Sequence, residues 1–192
     1  YDVAAFLYPA YAADDPRLRP FWPSGIGEWE TVMNMQQRHP GHYWDRRPVW
    51  GCINAADPAV MEMEIEQATS HGVNVFIFDW YWYDGRPFME TTLRNVFLKA
   101  RNRQKMKFYL MWANHDVLNL WDTRLARYNE NNVIWQGKIP RADFEKICRR
   151  NIELFFSQHE YYKIDGKPVF DSGKGINVPP NKRDIGFLFQ NY

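Results

Sequence analysis

The sequence predicts an α/β fold, a (β/α)8 TIM-type barrel. Residues 1–192 would form one domain with about four to five βα units and without the C-terminal part of the barrel. Three observations carry this expectation. Short apolar runs alternate with amphipathic stretches, the strand–helix–strand rhythm of a parallel sheet. Two of these runs, VNVFIFDW (73–80) and MKFYLMWANHD (106–116), are too short for helices and continuously apolar until their ends, as strands covered on both faces are. After the first strand comes PAYAADDPRLRPFWPSG, long and rich in proline and rings, where an open nucleotide-binding sheet would commonly carry a glycine-rich phosphate turn. Barrels place varied loops of this kind at the C-terminal ends of their strands.

The elements follow in order. DVAAFLYPAY (2–11) is a short apolar run ending in Tyr-Pro, the first strand. Residues 57–72 open with Asp57 as N-cap and Pro58 at the first helical position, and Gly72 closes the helix. Met61, Ile65 and Ala68 recur there at helical spacing and define its core face. The second strand begins at once with Val73. A helix near 88–101 carries Leu93, Val96, Phe97 and Ala100, and the third strand follows it. A further helix over 141–158 sets Phe144, Ile147, Cys148, Ile152 and Phe155 on one face. KPVFDS (167–172) and DIGFLFQNY (184–192) are the expected fourth and fifth strands.

Composition excludes several function classes. Lys plus Arg is 24 against 23 for Asp plus Glu, a net charge of +1, so neither nucleic acid nor an anionic membrane is an expected partner. No apolar run approaches the ~20 residues of a membrane span. Cys52 and Cys148 fit neither a metal-ligand spacing nor a disulfide framework and read as two buried free thiols. The chain begins at Tyr1. A removed leader would place the protein in the periplasm or outside the cell, and otherwise it is cytoplasmic. No cofactor is expected. His39 and His42 in RHPGHYW shape a loop better than they serve, with Asp45, as a metal site. The three acids of EMEIE (62–66) read as a solvated helix flank. The unusual quantity is 17% aromatic residues, nine of them tryptophan. Rings at that density in a polar chain do more than fill a core.

The strand ends show where the rings are used. The first strand ends at Tyr8, and its loop supplies Glu28, Trp29 and Glu30. The second delivers Asp79, then Trp80, Tyr81, Trp82 and Tyr83. The third delivers Trp112, Asn114, His115 and Asp116, and the fourth Asp171. On a barrel these ends share one rim, so carboxylates, an amide and an imidazole would sit among flat rings. Sugars present hydroxyls at their edges and C–H patches on their faces, and this set complements both. Asp79 and Glu28 are the candidate catalytic carboxylates, each with a plain structural alternative. Asp79 could cap the next turn, and Glu28 could sit at a helix N-terminus, where a carboxylate is favoured anyway. Of Trp80 to Tyr83, strand alternation turns two toward the site and two toward the helices.

GEWETV, the segment from RHPGHYW through DWYWYDGRPFME, FYLMWANHD and YYKIDGKPVF together resemble the WbsX-like proteins, a glycoside hydrolase family 99-like group. The likeness runs over most of residues 1–170. It implies a (β/α)8 barrel acting on a glycan or polysaccharide. In family 99 proper, it implies endo-α-mannosidase cleavage with retention, through a 1,2-anhydro sugar formed by the substrate's own 2-hydroxyl. The family's two catalytic carboxylates lie in a late-strand Glu-x-x-Glu segment, and no such segment follows residue 171. Glu28-Trp29, in the first loop, does not take over that role. The resemblance therefore leaves the acid and base outside these residues and the substrate-binding half of the rim within them. Genes of this group were first labelled glycosyltransferases, but the chain carries no Asp-x-Asp-type motif and no phosphate loop. A glycosyltransferase of polysaccharide biosynthesis and a non-catalytic carbohydrate-binding protein are the alternatives to a hydrolase.

Overall fold

A computed structural model describes residues 1–12, 14–43, 47–119, 132–163, 170–171 and 176–177. Its centre is a parallel sheet. Strand β1 (Ala4–Leu7) pairs in parallel with β2 (Val75–Tyr83), which pairs on its other side with a further strand over Lys107–Trp112. The next parallel neighbour enters at Tyr161, where Phe108 N–H donates to the Glu160 carbonyl at 3.0 Å and Tyr162 N–H to the Phe108 carbonyl at 2.7 Å. Spatial order thus follows chain order. An open doubly wound sheet reverses direction at a switch point, whereas a barrel adds each strand beside the last.

Between β1 and β2 lie α1 (Trp29–Met33) and α2 (Pro58–Ser70). The Asp57 carboxylate accepts from Ala59 N–H at 2.8 Å, Pro58 occupies the first turn, and Met61 and Ile65 are fully buried. This helix matches its sequence pattern. The three acids beside it divide. Glu62 takes a forked pair of bonds from Arg101, and Glu66 pairs with Lys105 at 2.7 Å, so that flank is tied to the next crossover rather than merely solvated. Glu64 turns inward, and burial pushes its carboxyl up to about 7. A carboxyl raised above its usual 4.5 stabilises the fold fully below that value, and the contribution is lost as pH rises through about 7. A Glu64→Gln variant should therefore melt above wild type at pH 8 and level with it at pH 4. Equal melting temperatures at both pH values would exclude a buried Glu64.

The second helix departs from expectation. Asp84 and Gly85 both have positive φ, 52° and 70°, and form a two-residue turn. That turn folds β3 (Arg86–Phe88) back antiparallel on β2, with Tyr83 opposite Arg86 and Tyr81 opposite Phe88. Phe88 and Met89 are consequently buried in the hairpin, and helical structure is confined to a π turn (Thr92–Val96) followed by a 3-10 turn (Phe97–Lys99). Leu93, Val96, Phe97 and Ala100 are nonetheless buried, as is Thr92. Asp-Gly between two ring-rich runs is a strong hairpin signal.

Strand β4 (Lys107–Trp112) leads to a small antiparallel pair, β5 (Val117–Leu118) and β6 (Val133–Trp135), and then to α3 (Arg141–Asn151), continued by a π turn over Ile152–Phe156. The buried face of this helix is Ile147, Asn151 and Phe155, while Phe144 and Ile152 are about half exposed. The fourth strand was expected at 167–172. The chain instead reaches β4 earlier, because Tyr161 packs on Phe108 directly after the crossover, with ring centroids 5.4 Å apart. Of the expected strand, β7 (Phe170–Asp171) is described, and it pairs antiparallel with β8 (Ile176–Asn177). Residues 184–192 lie outside the described residues. Both cysteines are free, but Cys52 is exposed and touches the Met33 sulfur at 3.6 Å instead of being buried.

One core lies between the sheet and the helices. Phe76, Phe78, Trp80 and Phe108 meet Met61, Ile65, Leu93, Phe97, Ile147 and Phe155 there. The opposite sheet face carries Asp79, Tyr81 and Tyr83, alternate residues of β2. Beyond the strand ends on that side, Ala10, Leu18, Trp22, Phe88 and Val117 form a second cluster with the two tyrosines.

Candidate functional site

One loop and one strand bring carboxylates to the C-terminal end of the sheet. Gly27 has φ +66°, and a side chain on it would collide with Ala10 and Ala12. The backbone can therefore close in, and Glu28 N–H donates to the Ala10 carbonyl at 2.9 Å. That bond sets Glu28 beside the end of β1, where it precedes α1 without capping it through its side chain. Trp29 is fixed by its indole N–H to the Ile53 carbonyl at 2.7 Å and by packing on Tyr11 at 4.4 Å. Asp79 comes from β2 itself, on the face away from the helices.

Glu28 and Asp79 share an environment built of tyrosines. Tyr81 donates its hydroxyl to Asp79 at 3.4 Å, a long bond, and Tyr81 also feels the charge of Glu28. The Tyr8 hydroxyl faces Glu28 and is held above its ordinary range by burial, with Glu28 and Tyr81 adding to the shift. Burial raises both carboxyls. The Tyr8 hydroxyl works against this at Glu28, and Tyr81 and the nearby His115 do so at Asp79. One oxygen of each, Oε2 of Glu28 and Oδ1 of Asp79, is buried with no hydrogen-bond partner among the described residues. A buried acceptor without a donor is costly and marks a place where a donor is missing.

The four rings after Asp79 divide two and two. Tyr81 and Tyr83 stay on the carboxylate face, 6.2 Å apart and stacked at 27°. Burial pushes the Tyr83 hydroxyl up to about 12, and it donates to the His115 carbonyl at 2.9 Å, holding the turn after β4. Trp80 is only 2% exposed and gives its indole N–H to Glu90 at 3.0 Å, which places it in the core and away from any open surface. Trp82 is half-buried on the same side, under the Arg150 guanidinium at 5.9 Å. His115 meets the Tyr81 ring edge to face at 6.3 Å. It thus joins Tyr8, Glu28, Asp79 and Tyr81.

Trp112 and Asn114 are placed elsewhere. Trp112 pairs in register with Trp80, on the helix side, and with Asn114 it lines a separate cleft with Asp116, Lys138 and Phe144. The sequence offered no sign of Lys138 and Phe144 at this place, because they lie on a different segment, brought in by the β5–β6 excursion. His39 and His42 stack on each other at 5.5 Å, and Asp45 lies outside the described residues. Among the described residues no group of three or more His, Cys, Asp or Glu side chains is gathered to hold a metal ion. No helix described is long and apolar enough to cross a membrane.

A parallel sheet in chain order, with carboxylates and rings at its C-terminal edge, defines a protein of the TIM-barrel-like α/β class. The chain belongs to the family described as "Glycosyltransferase WbsX", whose model matches residues 3–181. It is similar to the protein WxcX of Xanthomonas campestris pv. campestris, in strains B100 and ATCC 33913, at 28% identity over 168 residues. That match takes in 87% of this chain and 23% of each relative, so the chain spans about a quarter of their length. Among solved structures it is similar to a GH99 endo-α-mannosidase from Bacteroides thetaiotaomicron in complex with BIS-TRIS-propane, with a TM-score of 0.50 and 14% identity. That likeness covers 94% of this chain and 50% of the mannosidase, and it concerns the fold.

Proposed function

We propose that residues 1–192 are one domain, the first four to five βα units of a (β/α)8 barrel, in a carbohydrate-active enzyme. The reaction we assign is hydrolysis of a glycan or polysaccharide with retention. The observation that carries this reading is the pair of buried, partnerless oxygens on Glu28 and Asp79, set among Tyr8, Tyr81, Tyr83 and His115. A sugar hydroxyl placed there donates to each oxygen, while the tyrosine rings cover its C–H faces. Both carboxylates act by holding and polarising hydroxyls, and the acid and base come from later strands of the barrel. Glycosyl transfer is the second reading, favoured by the description of the family. Release of reducing ends without a donor supports hydrolysis, and strict dependence on a nucleotide sugar supports transfer.

Asp79→Asn in the full-length protein tests the assignment. Loss of a hydrogen bond to a charged group costs about 1.5–3 kcal/mol, so kcat/KM should fall roughly ten- to hundred-fold with turnover remaining. Because burial holds the Asp79 carboxyl above its ordinary range, the amide should melt at or above wild type at neutral pH, which separates lost contact from lost fold. Abolished activity restored by azide would instead make Asp79 the catalytic carboxylate. Unchanged kinetics would remove it from the site.

A further inference from the structure

The cleft beside Trp112 has a chemistry of its own. About 540 Å³ of space lies between the end of β4 and the first turn of α3. The Trp112 and Phe144 rings lie face to face there, centroids 5.5 Å apart and planes only 10° from parallel. Phe144 is 48% exposed. The indole N–H groups of Trp29 and Trp80 are engaged, the first by the Ile53 carbonyl and the second by Glu90. The Trp112 N–H is buried without a partner among the described residues. Gly137 lets its segment approach the Asn114 and His115 carbonyls, and its N–H donates to Asp116 Oδ1 at 2.8 Å. The Asp116 side chain is thereby fixed in the cleft with Asn114 and Lys138.

We infer that this cleft is a second saccharide subsite, taking a neutral pyranose unit of the same glycan that the Glu28–Asp79 cluster holds. The inference rests on that reading. An apolar ring stack flanked by an amide, a carboxylate and an ammonium matches the faces and edges of a sugar. Asp116 beside Lys138 leaves the cleft without net charge, which disfavours the phosphates of a nucleotide donor and the carboxylates of an acidic sugar. Both sites hang on one turn. His115 faces Tyr81 in the first, while its neighbours Asn114 and Asp116 line the second, and consecutive Cα atoms are only about 3.8 Å apart. The turn after β4 thus carries side chains of both sites.

Titration of the full-length protein with neutral mono- to hexasaccharides, beside acidic counterparts, tests the subsite. A Phe144→Ala/Lys138→Ala variant touches only exposed side chains and should melt as wild type. We expect it to lose at least about tenfold in affinity for the longer neutral fragments and nothing for monosaccharides, whereas Asp79→Asn weakens both. Wild-type affinity of the variant at every length would overturn the subsite while leaving the Asp79 reading intact. Loss in the variant with no effect of Asp79→Asn would overturn the Asp79 reading and keep the cleft. Preference for acidic fragments would overturn the neutral assignment, and no binding by any fragment would overturn both.

Discussion

Trp80→Ala should lower the melting temperature of the protein by a clearly wider margin than Trp82→Ala. Trp80 is 2% exposed, packs on Trp112 at 5.1 Å and Trp82 at 5.9 Å, and gives its indole N–H to Glu90. Removing a core indole leaves a cavity and costs about 3–5 kcal/mol. In a domain of this size that lowers the melting temperature by roughly 6–20 °C. The carboxylate of Glu90 also loses a donor, which adds to the cost. Trp82→Ala, half-buried at the edge of the same cluster, should cost less. Thermal melts beside glycan titration decide the matter. A Trp80→Ala protein that melts normally yet fails to bind glycan would put this ring at the sugar and contradict its buried placement.

Arg150→Met is expected to be nearly as damaging, for an electrostatic reason. The guanidinium makes a forked contact with Glu90, at 2.8 and 2.5 Å, and the Glu90 side chain is only 8% exposed. This pair ties α3 to the chain that follows the hairpin. Removing one partner of a buried pair leaves the other charge uncompensated, at about 3–5 kcal/mol. The methionine can still pack near Trp82 and Phe155, whose rings lie 5.9 and 5.8 Å from the guanidinium, so the loss reports mainly on charge. Adding Glu90→Gln should restore most of the stability, and a double-mutant cycle measures the coupling. An additive cycle would mean that the pair is not formed in solution.

Much of the fold was written locally. Asp57, Pro58 and the Met61–Ile65 spacing specify α2 through a cap and a stripe, both of which act within a few residues. The continuous apolar run before Asp79 specifies a buried strand for the same reason. The hairpin was legible too, in Asp84-Gly85. The helical pattern of Leu93 to Ala100 requires nothing of residues 88 and 89 and is compatible with that turn.

The sequence by itself determined the parallel α/β class, the rings and carboxylates at strand ends, and the two-by-two division of Trp80 to Tyr83. Strand alternation is a property of the backbone and needs no partner. Which pair faces which side depended on the sheet's neighbours. Asp79, Tyr81 and Tyr83 turn from the helices because Phe76 and Phe78, in the same register as Trp80, already pack on α2 and the 92–99 turns. The meeting of Glu28 with Tyr8, and of Lys138 and Phe144 with Trp112, was likewise decided in three dimensions. These residues approach through Gly27 against Ala10 and Gly137 against Asn114 and His115, and such close backbone contacts between distant segments leave no periodic trace in the chain.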